Sequence, residues 1–262
     1  MSKYNVNLLD VLKPFVEIPF ADKLAATKAI IETTVAALPR KTVVAWSGGK
    51  DSTLVLYLVR QLEPDVDVVF NNTGVEYPET VRFVHEMTAA WNVNLIETKP
   101  KKGFWQCADE YGFPDKSKGG VHGKTPHCCY FLKEKPMEDA MRGHDWTAVF
   151  DGVTAVESRI RMFTARNKGT SYFNAHWKKF RVRPILYWTE EEVFEYFKTE
   201  GIPNNPRYAM GSRRVGCMAC SAYKTWEANM SRENPKLYRI IKLRKDGHFQ
   251  PEMKINKASV PE

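Results

Sequence analysis

Apolar positions change their period several times along this chain, and each change marks an element. Residues 21–38 repeat at helical spacing, with Leu24, Ile30, Ile31, Val35 and Leu38 on one stripe and Pro39 ending the segment. The apolar run Thr42-Val43-Val44-Ala45-Trp46 predicts a buried strand, after which Ser52 to Arg60 returns to helical spacing. Val66 to Phe70 predicts a second strand, Glu79 to Trp91 its crossover helix, Val93 to Ile96 a third strand and Ala148 to Phe150 a later one. Short apolar runs alternating with helices predict an α/β fold, a doubly wound and mostly parallel sheet with helices on both faces. Thr189-Glu190-Glu191-Glu192 before Val193 to Phe197 is a capping box, and Gly201 with Pro203 ends that helix. Residues 99–127 and 165–180 carry little periodicity and are expected to be irregular, the first as a long loop or lid with 116–120 its most mobile part.

At 262 residues the chain is expected to form a single domain, with a helical segment at 1–39, a core at 40–221 carrying a small cysteine-bearing portion near its end, and a basic extension at 222–262. No run of 18 apolar residues and no signal-peptide core occurs, which points to a cytoplasmic protein without a membrane span. The formal charge of +8, from 39 basic and 31 acidic residues, calls for an anionic partner without naming it. Basic and aromatic residues interleave at His176 to Arg183 and at Lys236 to Lys245, a pattern that suits a nucleic-acid face or, equally, a solvated basic face over core aromatics.

Ser47-Gly48-Gly49-Lys50-Asp51-Ser52 lies between the first strand and its helix. Two glycines allow a sharp turn that brings backbone N–H groups to an anion, and the helix N-terminus behind them adds orphan donors and a positive dipole end. Lys50 and the hydroxyls of Ser47 and Ser52 complete a phosphate site. Only two glycines precede the lysine, so the spacing is not that of the commoner phosphate loop of kinases and GTPases. Because ligands of doubly wound sheets bind beyond the carboxyl ends of the strands, residues 71–80 and 151–161 are expected beside this loop.

Cys128-Cys129 and Cys217-Met218-Ala219-Cys220 form the other concentration of chemistry. Two close thiol pairs suit a soft metal, as tetrahedral zinc or an iron-sulfur cluster; adjacent cysteines are awkward on one small ion and favour the cluster. The alternative is four buried thiols. His127, Arg213 and Arg214 flank the pairs and would favour thiolates or bind an anion. Cys107 stands apart as a core thiol, with a nucleophile or persulfide carrier as the other reading.

The loop resembles that of the ATP pyrophosphatase superfamily, which implies ATP as ligand and Mg2+ held by Asp51. The ordered set of that loop, Asn72-Thr73-Gly74-x-x-Tyr77-Pro78-Glu79-Thr80, Glu157-Ser158-Arg159 with Arg161, Arg183 to Thr189, and Gly201 to Cys220 resembles the phosphoadenylylsulfate and adenylylsulfate reductase family over roughly residues 40–221. The cysteine pattern is similar to the branch that carries a 4Fe-4S cluster, with Cys128, Cys129, Cys217 and Cys220 as its ligands. The resemblance implies an adenine nucleotide alpha hydrolase-like fold, Lys50 and Asp51 as catalytic groups, Ser47, Gly48, Gly49 and Ser52 on the phosphates, Thr73, Gly74, Tyr77 and Gly152 lining the nucleotide pocket, and Glu157, Arg159 and Arg161 closing on phosphate or sulfate. Two departures matter. No cysteine follows Cys220, whereas the reductases use a thiol near their C-terminus, and Asn72 stands where reductases often have Asp. What remains is similar to ATP pyrophosphatase subunits of DNA phosphorothioation (DndC-like and SspD-like proteins) and, more distantly, to tRNA thiolation enzymes. That implies sulfur transfer to nucleic acid, DNA or tRNA, with a cysteine desulfurase as sulfur donor and an oligomer as one assembly. A sulfonucleotide reductase drawing a thiol from elsewhere and a non-catalytic ATP-binding subunit are the alternatives.

Overall fold

The structure, a computed structural model, describes residues 8–115, 123 and 125–247, with side chains described from residue 11; the expectation of mobility at 116–120 and the chain beyond 247 lie outside them. Six strands form one sheet in the order β3-β2-β1-β4-β6-β5, with β1 (Thr42–Ala45), β2 (Asp67–Asn71), β3 (Asn94–Thr98), β4 (Ala148–Asp151), β5 (Ser171–Asn174) and β6 (Lys179–Val182). All pairings are parallel except β5 with β6. The helices are α1 (Leu8–Val16), α2 (Phe20–Ala37), α3 (Lys50–Arg60), α4 (Pro78–Ala90), α5 (Phe104–Tyr111), α6 (His127–Cys129), α7 (Lys135–Gly143), α8 (Arg159–Lys168), α9 (Glu190–Glu200), α10 (Pro206–Ala209), α11 (Trp226–Glu233) and α12 (Pro235–Lys245). This is the expected α/β fold.

The strands alternate faces with period two, and each face has its own core. Val44, Val68, Phe70 and Phe150 pack with Ile31 of α2, Leu54 and Leu58 of α3, Phe83 and Val84 of α4 and Val193 and Phe197 of α9. Val43, Val69 and Val149 point the other way, against Ala140 and Met141 of α7 and Trp146. Of the predicted α2 stripe, Ile31 is fully buried, and Leu24, Ile30, Val35 and Leu38 pack at the margin of the same core.

Parts of the two segments expected to be irregular form regular elements. Residues 104–111 form α5, whose buried Phe104, Cys107 and Ala108 lie at i, i+3 and i+4; two turns are too short to display a period. Residues 165–180 complete α8 and form the β5–β6 hairpin at the sheet edge, where one face is solvated and apolar residues are sparse. The basic–aromatic stretch at 176–183 is mixed: His176, Lys178 and Phe180 are exposed, whereas its two arginines are held by the fold. Arg181 bonds Asp151 through two nitrogens at 2.8 and 2.6 Å, and Arg183, 2 % exposed, lies 4.9 Å from the Tyr172 ring. In the other stretch, Lys242 faces Glu227 and Lys245 lies over Trp226.

The capping box forms as expected, and its acid does a second job. Glu192 accepts from the Thr189 N–H and also receives the buried Lys23 ammonium at 2.6 and 2.8 Å, tying α2 to α9. Removing one member of such a pair strands the other charge. Glu192→Ala is therefore expected to lower unfolding free energy by about 3–5 kcal/mol, against about 1 kcal/mol for the cap alone in Thr189→Ala, as measured by urea denaturation.

Candidate active site

The sheet order reverses between β1 and β4, since the chain leaves β1 toward β2 on one side and places β4 on the other. Ala45 and Asp151 are register partners at the carboxyl ends of those strands. A cavity of about 520 Å³ opens there, lined by Ser47, Gly49, Lys50, Asp51 and Ser52 of the loop, by Asp151 ending β4 with Gly152 and Thr154 after it, and by Glu157, Arg161, Glu190, Tyr208, Arg213 and Arg214. Such switch points are where open α/β sheets bind ligands.

The loop is shaped by contacts that only its glycines allow. Gly48 has φ +71°, and a Cβ on it would lie 2.9 Å from Val84 and 3.1 Å from Thr80. The Asn205 amide donates to the Gly48 carbonyl at 2.9 Å and to the Thr80 hydroxyl at 3.1 Å, fixing the turn to α4. The Ser52 hydroxyl donates to the Gly49 carbonyl at 3.0 Å and accepts the Ser47 N–H at 3.1 Å. Gly152 approaches closest of all, because a Cβ on it would lie 2.5 Å from the carbonyl carbon of Asp51 and the nitrogen of Ser52.

Helix α3 begins at Lys50, and its first N–H donates to the Tyr208 hydroxyl at 3.0 Å. The Lys50 ammonium sits 2.9 Å from Asp51 and 3.6 Å from Glu190. Burial opposes its charge, yet Asp51, Tyr208 and Glu190 hold its pKa above the ordinary lysine value, so it is cationic at neutral pH. Across the cavity Glu157 receives both Arg161 and Arg214. Burial, with Arg214 alongside, depresses Arg161 below the usual arginine value.

All three segments expected together meet at the loop, but they differ in what they line. Residues 151–161 line the cavity, whereas 71–80 reaches the loop through Thr80, which packs beneath Gly48 and shares the Asn205 amide with its carbonyl. Thr73 gives its N–H and hydroxyl to Glu76 at 2.8 and 2.6 Å, and the Gly74 N–H goes to Asn72 at 3.1 Å. The Tyr77 hydroxyl donates to Glu233 at 2.9 Å while Arg207 lies 3.8 Å over its ring; burial and Glu233 push its pKa up to about 12. Thr73, Gly74 and Tyr77 do not line this cavity, nor do Gly48, which supports the loop from beneath, and Arg159, which is exposed. Asp151 lies beside the loop as the 151–161 expectation has it, whereas Glu190 is expected only as part of a cap and the sequence gives Tyr208 no role. Nothing local to Tyr208 signals it, since it reaches the loop across 158 residues.

The four cysteines share one neighbourhood. Cys128 and Cys129 lie in α6, followed by a π-helical turn at Tyr130–Glu134, an irregularity frequent at functional sites. Cys217 bridges Glu76, and the Cys220 N–H closes the turn on the Cys217 carbonyl at 3.3 Å. The Cys128 thiol bonds to Cys129 and is raised by that bond and by burial, with Cys220 and Cys217 close enough to add to the effect. Lys133 bonds Cys217. Among the described residues no three His, Cys, Asp or Glu converge tightly enough to hold a single metal ion. The donor set, all sulfur with a lysine beside it, fits a soft metal centre by chemistry.

A mostly parallel sheet with a glycine-bent loop at its switch point, facing a cavity where Lys50, Arg161, Arg213 and Arg214 stand among Asp51, Asp151, Glu157 and Glu190, is the architecture of a nucleotide-binding α/β fold. Residues 41–223 match the phosphoadenosine phosphosulfate reductase domain, and the chain belongs to that family. An adenosine 5'-phosphosulfate reductase of Staphylococcus haemolyticus is 28 % identical over 78 % of this chain and 82 % of its own length. An uncharacterized protein of Methanocaldococcus jannaschii is 31 % identical over 79 % of this chain, which spans 42 % of that protein. Among solved structures, the phosphoadenylyl-sulfate reductase of Candida auris superposes with TM-score 0.58 at 18 % identity, covering 83 % of this chain and 97 % of the other. The FMN adenylyltransferase of Candida glabrata gives 0.54 at 15 % identity, covering 83 % and 67 %. These two likenesses concern the fold. No helix among the described residues is long and apolar enough to cross a membrane.

Gly152→Ala is expected to displace the Asp51–Ser52 backbone, because the atoms its Cβ meets are main chain and cannot rotate away. Urea denaturation should show stability lowered by about 1–3 kcal/mol, the usual cost of forcing extra volume into a packed contact, with the far-ultraviolet circular dichroism of the fold retained.

Proposed function

We propose that this chain is an ATP pyrophosphatase that activates an acceptor by adenylation for sulfur transfer to nucleic acid, with DNA phosphorothioation as its setting. The observation that carries this reading is the cavity itself: a phosphate loop at a helix N-terminus, faced by Lys50, Arg161 and Arg214, with no thiol among its described lining residues. Cys107 is 1 % exposed on α5, and burial raises its thiol further from the reactive thiolate. Binding would exchange carboxylate partners for phosphate. Lys50 leaves Asp51 for the β and γ phosphates, Arg161 and Arg214 leave Glu157, and the N–H of Lys50 exchanges the Tyr208 hydroxyl for an anionic oxygen. An acceptor oxygen attacks the α phosphorus, the bond from that phosphorus to the bridging oxygen breaks, and pyrophosphate departs with the electron pair onto a loop already arranged for that charge. Asp51 then offers hard oxygen ligands to Mg2+, which would neutralise phosphate charge when bound.

The 4Fe-4S cluster belongs to the same proposal, with Cys128, Cys129, Cys217 and Cys220 as ligands, and supplies sulfur or electron chemistry when present. A cysteine desulfurase is the proposed sulfur source. The names of the reductase relatives favour a second reading, reduction of adenylylsulfate with a thiol from Cys107 or a partner. The two separate by product. Isolated protein should release pyrophosphate from ATP; sulfite release from adenylylsulfate with a thiol donor, without pyrophosphate from ATP, would establish the reductase instead.

Lys50→Ala is expected to lower the pyrophosphate-release rate about 10²–10³-fold, the range for losing one preorganised stabilising group. Full sulfur-transfer activity in that variant would mean that ATP is bound without turnover. Anaerobically purified protein should be brown and carry about four irons, as four thiolate ligands imply; stoichiometric zinc without colour would refute the cluster.

A further inference from the structure

Helix α8 buries one side and leaves the other without cover. Met162 and Ala165 pack with Leu12 of α1 and Leu186, whereas Ile160 and Phe163, one turn apart, are 80 % and 58 % exposed. The helix carries Arg159, Arg161, Arg166 and Lys168 and no acid. Arg161 turns toward the cavity, Lys168 lies over Tyr172, and Arg159 and Arg166 are exposed, with no carboxylate partner among the described residues. Residues 159, 163 and 166 stand four and three apart, so the Phe163 ring lies between two guanidinium groups, each one helical turn away.

We propose that this outer face of α8 is the track for a single-stranded nucleic acid, with Phe163 stacking a base, Ile160 packing beside it, and Arg159 and Arg166 pairing phosphates on either side. An aromatic platform between cations is how single strands are held without sequence reading. The face is continuous with the proposed active site, because Ser158 caps α8 and the Glu157–Arg161–Arg214 cluster forms the cavity rim at that same end. A strand lying along α8 therefore brings a backbone phosphate to the cavity mouth. The inference rests on the reading that the acceptor is nucleic acid and names where that acceptor lies. A second copy of the chain fits the face poorly, since a two-fold contact centred on α8 sets its arginines against their own copies. The basic stretches at 176–183 and 236–245 fit it less well than α8, as Arg181, Arg183, Lys242 and Lys245 already have partners within the fold.

The test is fluorescence anisotropy of the full chain with labelled 20-residue oligothymidylate and oligouridylate, over a range of salt. The wild-type protein should bind at least one of them. Phe163→Ala should weaken binding about tenfold, as loss of one base stack does, and Phe163→Trp should restore it. Arg166→Ala should lower the slope of log affinity against log salt by roughly 0.7, the value for one phosphate on a single strand. ATP affinity and melting temperature should be unchanged in all three variants. Absence of oligonucleotide binding in protein that binds ATP, or binding indifferent to Phe163 and Arg166, overturns the proposal. So does sedimentation showing a dimer that Phe163→Ala converts to monomer, which would assign the face to self-association. These readouts do not depend on turnover: a protein that binds oligonucleotide through α8 and never releases pyrophosphate overturns the proposed activation chemistry and leaves the track standing.

Discussion

The contact between Gly152 and the start of α3 is the constraint on which the site depends. A Cβ at that position would lie 2.5 Å from main-chain atoms of Asp51 and Ser52, so the chain leaving β4 touches the phosphate loop backbone to backbone. Parallel pairing of β1 with β4 delivers the two segments side by side, and the missing side chain lets them close. The loop is then bounded by β4 on one side and by Thr80 and Val84 of α4 on the other, with Gly48 as the second point where no side chain fits.

Charge in the cavity is arranged in exchangeable pairs. Asp51 and Glu190 hold Lys50, and Glu157 holds Arg161 and Arg214, whereas Asp151 is bound to Arg181 from the neighbouring strand. Lys50, Arg161 and Arg214 are each kept in place by a carboxylate, so the proposed entry of an anion needs little reorganisation of these three side chains. The Lys50 pair differs from a surface ion pair because the lysine is only 9 % exposed, and its charge is maintained by neighbours against burial.

One stretch of chain serves both the loop and the cysteines. Asn205 and Tyr208 bond the loop, Arg213 and Arg214 line the cavity, and a few residues later Cys217 bridges Glu76, which in turn holds Thr73. The segment after β2, which does not line the cavity, is thereby tied to the cysteine turn. Thr73, Gly74 and Tyr77 organise that junction through Glu76, Asn72 and Glu233.

The sequence by itself determined the parallel α/β core, the loop at residues 47–52 and the capping box at Thr189, because each is written in a local period or a short motif whose physics needs only neighbouring residues. It could not show α5 or the β5–β6 hairpin, which are too short or too solvated to carry a period, nor that Arg181 and Arg183 are drawn inside the fold. Tyr208 and Glu190 became cavity residues only through the docking of α9 and α10 against the loop. Which residues share a cavity depends on which strands are neighbours, and strand order is decided by long-range packing rather than by any local pattern.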